Sequence, residues 1–185
     1  MRPDAPANPV IGTSSERRLR FLEKALPGAS FTWIRGNVPT RLQRVREGEL
    51  RGEPLHGTIL AAAGLRRLGL DLSGLSVRPF QPKELLPAPA QGALLVEARR
   101  GDQALLDALA GFHHAQTERL VRLERGVLAG IGGGCQQPLG ALAVIEGDGV
   151  RLRAGYAAAE GLRWAEAAGA DDAAVLAEVL RGLGL

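Results

Sequence analysis

The chain has 185 residues, 45% of them hydrophobic, and 23 Lys and Arg against 20 Asp and Glu give it a net charge of +3. This length supports one large or two small domains with buried cores. The sequence has no apolar run near the roughly 18 residues of a membrane span, no signal peptide, and no block of like charge that would indicate a nucleic-acid partner. We therefore expect a globular cytoplasmic protein that binds neither membranes nor nucleic acids.

The first 85 residues alternate short apolar segments with helical ones. Strands are predicted at 10–11, 31–34 and 58–60, and helices at 16–25, 39–47 and 61–68. Such an alternation is typical of an α/β fold with a mostly parallel sheet. We assign this domain to residues 10–85 and expect residues 1–9 to be a disordered N-terminal extension.

Proline and glycine are frequent between Pro79 and Gly92, which predicts a linker and a domain boundary. Beyond it, residues 93–98 predict an apolar strand, and helices are predicted at 103–110 and 116–129. A hairpin at 141–145 and 150–157, a strand at 162–167 and a closing helix at 173–183 follow. We expect a small α+β domain over residues 112–185, with a three-stranded antiparallel sheet.

Cationic side chains follow the predicted strands of the first domain. Ligands of doubly wound sheets bind at the carboxyl ends of strands, beside helix N-termini, where cations oppose the helix dipole and contribute little to stability. Guanidinium groups bind carboxylates or phosphates in bidentate fashion. The pattern predicts a site for a small polyanion; the alternative is solvated arginines paired with nearby glutamates. The four arginines in question are Arg17, Arg18, Arg35 and Arg41.

Cys135 is the only cysteine, and it follows three glycines at 132–134. Glycine permits positive φ and a close approach of the backbone to a ligand. We interpret this loop as a site of chemistry at sulfur, although a small buried hydrophobe at the base of a loop is the simpler alternative. For His113 and His114 we predict surface or capping roles and no metal site, because no carboxylate or thiol lies at ligand spacing.

Five segments carry a more specific signature: GTSSERR at 12–18, RGNVPTRL at 35–42, ILAAAGLRRLG at 59–69, LPAPAQGA at 86–93 and GGCQQPLG at 133–140. Together, and in this order, they closely resemble the porphobilinogen deaminases, also called hydroxymethylbilane synthases. The resemblance runs from about Val10 to the C-terminus. It implies a first unit with a fold like that of periplasmic binding proteins.

The resemblance also implies a transferase of tetrapyrrole biosynthesis, which deaminates porphobilinogen and joins four molecules head to tail into hydroxymethylbilane. Members of the family hold a dipyrromethane cofactor through a thioether to the cysteine that Cys135 matches. The residues that would bind the acetate and propionate groups of primer and substrate are Arg17, Arg18, Arg35, Arg41 and Arg67. The residues that would line the cleft are Thr13, Ser15, Gln91 and Gly92.

The sequence departs from the family in one large way. The family's first domain precedes the Gly-Thr-Ser-Ser motif and supplies the catalytic aspartate, and no such segment exists here. We therefore assign no catalytic residue to this chain and expect it to be inactive alone, with a longer or separate polypeptide supplying the first domain. Residues 86–111 would then return towards that domain and leave an apolar patch near 93–96 exposed.

Smaller departures are Gly132, Gln137 and the pair Pro89-Ala90, where the family usually has Val-Gly. They affect the predicted loop geometry but not the thioether. The alternative function is a non-catalytic module that binds a carboxylated pyrrole or a similar small polyanion.

Overall fold

A computed structural model describes residues 1–132 and 137–185 of the chain. These residues divide into two compact units, the first built mainly on residues 1–85 and the second mainly on the residues after 85. No helix in the described ranges is long and apolar enough to cross a membrane.

The first unit is an α/β fold around a three-stranded parallel sheet. In the sheet, β1 lies in the centre and pairs in parallel with β2 on one side and β5 on the other. The predicted mixed α/β class is therefore confirmed. In chain order the elements are β1 (Val10–Gly12), α1 (Glu16–Ala25), β2 (Ser30–Thr32), α2 (Val38–Glu47), β3 (Glu49–Leu50), β4 (Glu53–Pro54), β5 (Gly57–Thr58) and α3 (Ala62–Leu68).

The helices of the first unit begin and end at residues suited to those positions. Ser15 caps α1 by accepting a hydrogen bond from the Arg18 N–H, and Asn37 caps α2 by accepting one from the Thr40 N–H. Gly48 ends α2 with φ +81°, a left-handed conformation that glycine adopts without steric strain. These caps fix where each helix starts relative to the strand before it.

Three details of the first unit differ from the sequence prediction. Strand β2 ends at Thr32 rather than at residue 34, because Ile34 turns into the core beside Val45 and Leu55. The short antiparallel pair of β3 and β4 was not predicted. At the N-terminus, the Arg2 N–H donates to the His56 carbonyl and the Ser76 N–H to the Met1 carbonyl, so the prediction of a disordered extension does not describe Met1 and Arg2.

The second unit is an α+β fold around the sheet β6-β7-β8, in which β6 and β7 form the predicted antiparallel hairpin. Val127, Leu139, Leu152 and Val179 lie in its core. Gly126 has no Cβ, which permits close packing here, since a Cβ at that position would lie only 2.6 Å from the Leu176 side chain. The elements are α4 (Gln103–Ala110), α5 (Ala115–Gly130), β6 (Leu139–Glu146), β7 (Gly149–Ala158), β8 (Gly161–Gly169) and α6 (Asp172–Leu183).

The predicted strand at 93–98 is wrong. A strand is stable only when a neighbour takes up its backbone hydrogen bonds, and no strand in the described ranges pairs with this segment. The exposed fraction of the residue is 96% for Leu94, 80% for Leu95 and 63% for Val96. The expected exposed patch is therefore present, although the segment is not a strand.

Candidate functional site

The carboxyl ends of the three parallel strands lie at one edge of the sheet and position the predicted polar residues. Thr13 directly follows β1, is buried, and donates its N–H to the Thr32 carbonyl at the end of β2 at 2.9 Å. The Thr58 hydroxyl donates to the Gly12 carbonyl at 2.9 Å and ties the end of β5 to β1. Three chain segments therefore converge where the strands end.

Two predicted arginines bind backbone carbonyls at this edge. Arg18 donates from its guanidinium to the carbonyl of Ile59, just beyond β5, at 2.9 Å. Arg41 donates from Nε to the carbonyl of Gly36, which follows β2, at 2.8 Å. Arg18 thus reaches from α1 to the residue after β5, and Arg41 reaches from α2 back to the loop between β2 and α2.

Arg17 is the most buried cation of this cluster, with only 8% of the residue exposed. Burial, and then the positive charge of Arg18, lower the pKa of Arg17 to about 10. Burial, and then the charge of Arg41, lower the pKa of Arg18 as well. Because like charges close together destabilise the protonated forms, this arrangement favours an anion bound among the guanidinium groups.

Arg35 and Arg67 occupy more peripheral positions. Arg35 is exposed, and its guanidinium carbon lies 5.7 Å from the centre of the Trp33 ring, within the range of a cation–π contact. Arg67 is exposed in the last turn of α3. The structure therefore brings Arg17, Arg18 and Arg41 together and leaves the other two predicted arginines on the surface.

The remaining predicted cleft residues order the backbone by capping a helix or forming a turn. Ser15 caps α1. In the second unit, Gln91 and Gly92 form a turn in which the Gln91 side-chain oxygen accepts from the Ala88 N–H at 3.1 Å. Gly92 has φ +96°, and Ala90, where the resembled family usually has glycine, has φ +61°. The turn thus keeps a glycine-type conformation with alanine in that position.

Glu124, on α5, is a buried carboxylate that the sequence prediction missed. It is 7% exposed and accepts hydrogen bonds from two backbone N–H groups, those of Ala90 and Ala143. The available signal was its spacing, because Leu120, Glu124 and Val127 lie on one face of the helix that is otherwise apolar.

Cys135 lies outside the described residues. The predicted capping role of the histidines is confirmed for His114, which caps α5 and accepts from the Thr117 N–H at 3.2 Å. His113 lies on the surface, 3.3 Å from Glu118.

The first unit is thus of the α/β class, with buried and half-buried arginines at one edge of its sheet, and such side chains are suited to a small anion in charge and in donor geometry. The chain belongs to the porphobilinogen deaminase family. Residues 2–107 match the family's dipyrromethane cofactor binding domain, and residues 119–179 match its C-terminal domain.

Similar proteins named porphobilinogen deaminase support this assignment. That of Roseiflexus sp. (strain RS-1) is 43% identical over 156 residues, which cover 84% of this chain and 49% of the relative. That of Streptococcus sanguinis is 41% identical, covering 85% of this chain and 50% of the relative, and that of Roseiflexus castenholzii is 40% identical, covering 95% and 56%. The chain thus spans about half the length of the curated relatives it matches.

Proposed function

We propose that this chain supplies the second and third domains of a cytoplasmic porphobilinogen deaminase. The activity is that of a transferase, the stepwise deamination and head-to-tail joining of four porphobilinogen molecules into hydroxymethylbilane. In this proposal residues 10–85 form the second domain, of the periplasmic-binding-protein type. Residues 86–111 return to a first domain, and residues 112–185 carry the cofactor cysteine.

The observation that carries the proposal is the cluster of Arg17, Arg18 and Arg41. Each porphobilinogen ring has two carboxylates, so a growing oligomer accumulates negative charge that fixed cations must neutralise. The buried guanidinium groups destabilise one another's charged forms. A carboxylate bound among them would offset both the burial and the repulsion, and would do so in bidentate geometry.

The cofactor is a dipyrromethane held by a thioether to Cys135. When bound, it supplies the pyrrole end to which the first substrate ring is joined. The arginine side chains of the first unit suit its carboxylates in charge and in donor geometry. Their proposed role is to bind and orient the acetate and propionate groups of primer and substrate, with Arg35 and Arg67 as exposed members of the set. Thr13 and Ser15 order the backbone where the strands of the first unit end, and we propose that Gln91 and Gly92, which form a turn of the second unit, line the cofactor cleft.

No described residue of this chain is assigned the proton transfers of the deamination step. We propose that they belong to the first domain, either in the same polypeptide or in a separate chain. The exposed side chains of Leu94, Leu95 and Val96 support such a partner, because three adjacent apolar side chains left in water mark a surface that another domain covers.

The test is to produce the chain together with the first domain of the Roseiflexus sp. relative. Intact mass spectrometry then measures the chain, and consumption of porphobilinogen measures the activity. We expect the mass to rise by one dipyrromethane and porphobilinogen to be consumed, and both effects to vanish in Cys135→Ser. An unmodified chain that still binds carboxylated pyrroles would instead favour the non-catalytic binding module.

A further inference from the structure

Glu124 is an ionisable side chain placed where an apolar one would ordinarily lie. It projects from α5 into the core of the second unit, next to the buried Leu123 and three residues before Val127. Removing a carboxylate from water is unfavourable unless hydrogen bonds replace its hydration. The contacts of Glu124 therefore indicate why the position carries a charge.

Each carboxylate oxygen of Glu124 accepts one backbone N–H from a different part of the second unit. Oε1 accepts from the Ala143 N–H of β6 at 2.9 Å, and Oε2 accepts from the Ala90 N–H at 2.6 Å. The side chain consequently joins three segments: helix α5, strand β6 and the turn that contains Ala90. The first two bracket Cys135 in the sequence, since α5 ends at Gly130 and β6 begins at Leu139.

The turn that Glu124 holds is conformationally demanding. Ala90 has φ +61°, a left-handed conformation that is unfavourable for a residue with a Cβ. The Gln91 N–H donates to the Ala88 carbonyl at 3.0 Å, which closes a turn with Pro89 second and Ala90 third, the positions that proline and a left-handed residue take in type II turns. The N–H that Glu124 binds belongs to the strained residue itself.

We propose that Glu124 is a positioning residue for the cofactor site, which fixes the Gln91-Gly92 turn relative to the two elements that bracket Cys135. This inference rests on the proposed function, in which Gln91 and Gly92 line the cofactor cleft. Packing alone would be served by leucine or methionine. Two acceptor atoms at one core position are needed only if both N–H groups must be held at once.

The discriminating variant is Glu124→Gln, which keeps the volume but has one acceptor oxygen, so that its amide NH₂ must face one of the two N–H groups. The matched control is Glu118→Gln on the same helix, where the carboxylate is partly exposed and pairs with Arg122. Both variants are made in the full chain, produced with the first domain, and compared with the unaltered chain.

Two measurements separate positioning from folding and from the proposed function. The first is amide hydrogen exchange by NMR, in which we expect the Ala90 N–H to exchange about tenfold faster or more in Glu124→Gln and unchanged in Glu118→Gln. The second is the rate at which the dipyrromethane mass appears on the chain, expected to be about tenfold slower or more in Glu124→Gln, because small misplacements of a site cost large factors in rate.

Unchanged exchange at Ala90, or loading at the unaltered rate in a folded Glu124→Gln chain, overturns the inference. If that variant does not fold, Glu124→Asp retains both acceptors on a shorter stem, and the same two outcomes decide. If the unaltered chain itself never gains the cofactor, the proposed function fails, and the exchange measurement still decides whether Glu124 fixes the turn.

Discussion

The paired arginines Arg151 and Arg153 of the second unit differ in their surroundings from the clustered arginines Arg17, Arg18 and Arg41 of the first. In the second unit Arg151 donates to both Glu146 and Glu166, and Arg153 donates to Glu166 as well. These hydrogen bonds and the carboxylate charges raise the pKa of Arg151, and the same hydrogen bonds with the charges of Arg153 and Arg151 lower the pKa of Glu166. The positive charge on this sheet is thus neutralised by the protein's own acidic side chains.

For the clustered arginines of the first unit, the pKa shifts in the opposite direction. Burial and a neighbouring guanidinium lower the pKa values of Arg17 and Arg18. In the proposed function, a carboxylate of the bound pyrrole would offset this unfavourable burial of charge at Arg17 and Arg18.

The largest expected effect concerns the core of the second unit. Leu152 on β7 is fully buried among side chains of β6, α5 and α6, so Leu152→Ala should lower the free energy of unfolding by about 2–5 kcal/mol. Chemical denaturation measures the loss. Val144→Ala, at a side chain 41% exposed, is the control and should cost much less. A small loss at Leu152 would mean that this core does not stabilise the unit.

Removing a clustered cation should instead raise the free energy of unfolding. Folding lowers the pKa of Arg17 from the usual high value of an arginine to about 10, chiefly because the side chain is buried. The charge therefore destabilises the fold at all pH values below about 10, and this penalty declines as pH rises above 10 towards the usual pKa of an arginine. We expect Arg17→Gln to raise the free energy of unfolding at pH 7, without added anions, by about 1–3 kcal/mol.

Denaturation at pH 7 measures this gain. The matched control is Arg20→Gln on the same helix, where the arginine is exposed and bridges to Glu16, and its effect should stay below about 1 kcal/mol. A less stable Arg17→Gln variant would show that the fold itself uses this charge.

The smallest effect is expected at a paired arginine. Arg119 binds Asp172 in bidentate fashion at 2.7 and 2.9 Å, and its hydrogen bonds and charge lower the pKa of that carboxyl below 3.8. The pair's contribution is therefore present above about pH 3.8 and disappears as pH falls through the lowered value. Arg119→Gln should reduce the unfolding temperature by about 1–3 °C at pH 7, because partly exposed pairs contribute little.

Thermal unfolding of Arg119→Gln and of the unaltered chain across acidic pH checks this expectation. The two curves should converge once Asp172 is protonated. A difference that persists at the lowest pH would assign the effect to packing of the Arg119 side chain rather than to its charge.

Local sequence signals predicted most of the fold. Helices α1 and α4 have the predicted bounds, and the other helices agree to within one residue at each end, because caps and apolar periodicity are local properties. The strand at 93–98 was wrong because apolar composition shows only that a segment can pair, and pairing depends on a neighbour elsewhere. The predicted arginines at the strand ends could be found because parallel strands end at one edge.

Glu124 and the left-handed Ala90 could not be predicted in the same way. A glutamate in a helix is ordinarily exposed, and its burial depends on two N–H groups from distant segments. The φ of Ala90 likewise depends on the turn that those contacts hold. Such features follow from tertiary packing, which local propensity does not encode.

The role of the arginine cluster is tested most directly by titrating a dipyrromethane tetracarboxylate into the chain in a Cys135→Ala background, so that only non-covalent binding is measured. Isothermal titration should show saturable binding that Arg151→Gln leaves unchanged and that Arg18→Gln weakens by about tenfold or more, since charge-assisted hydrogen bonds are the strong ones. Equal affinities for the Arg18→Gln and Arg151→Gln variants would contradict the proposed role of the cluster.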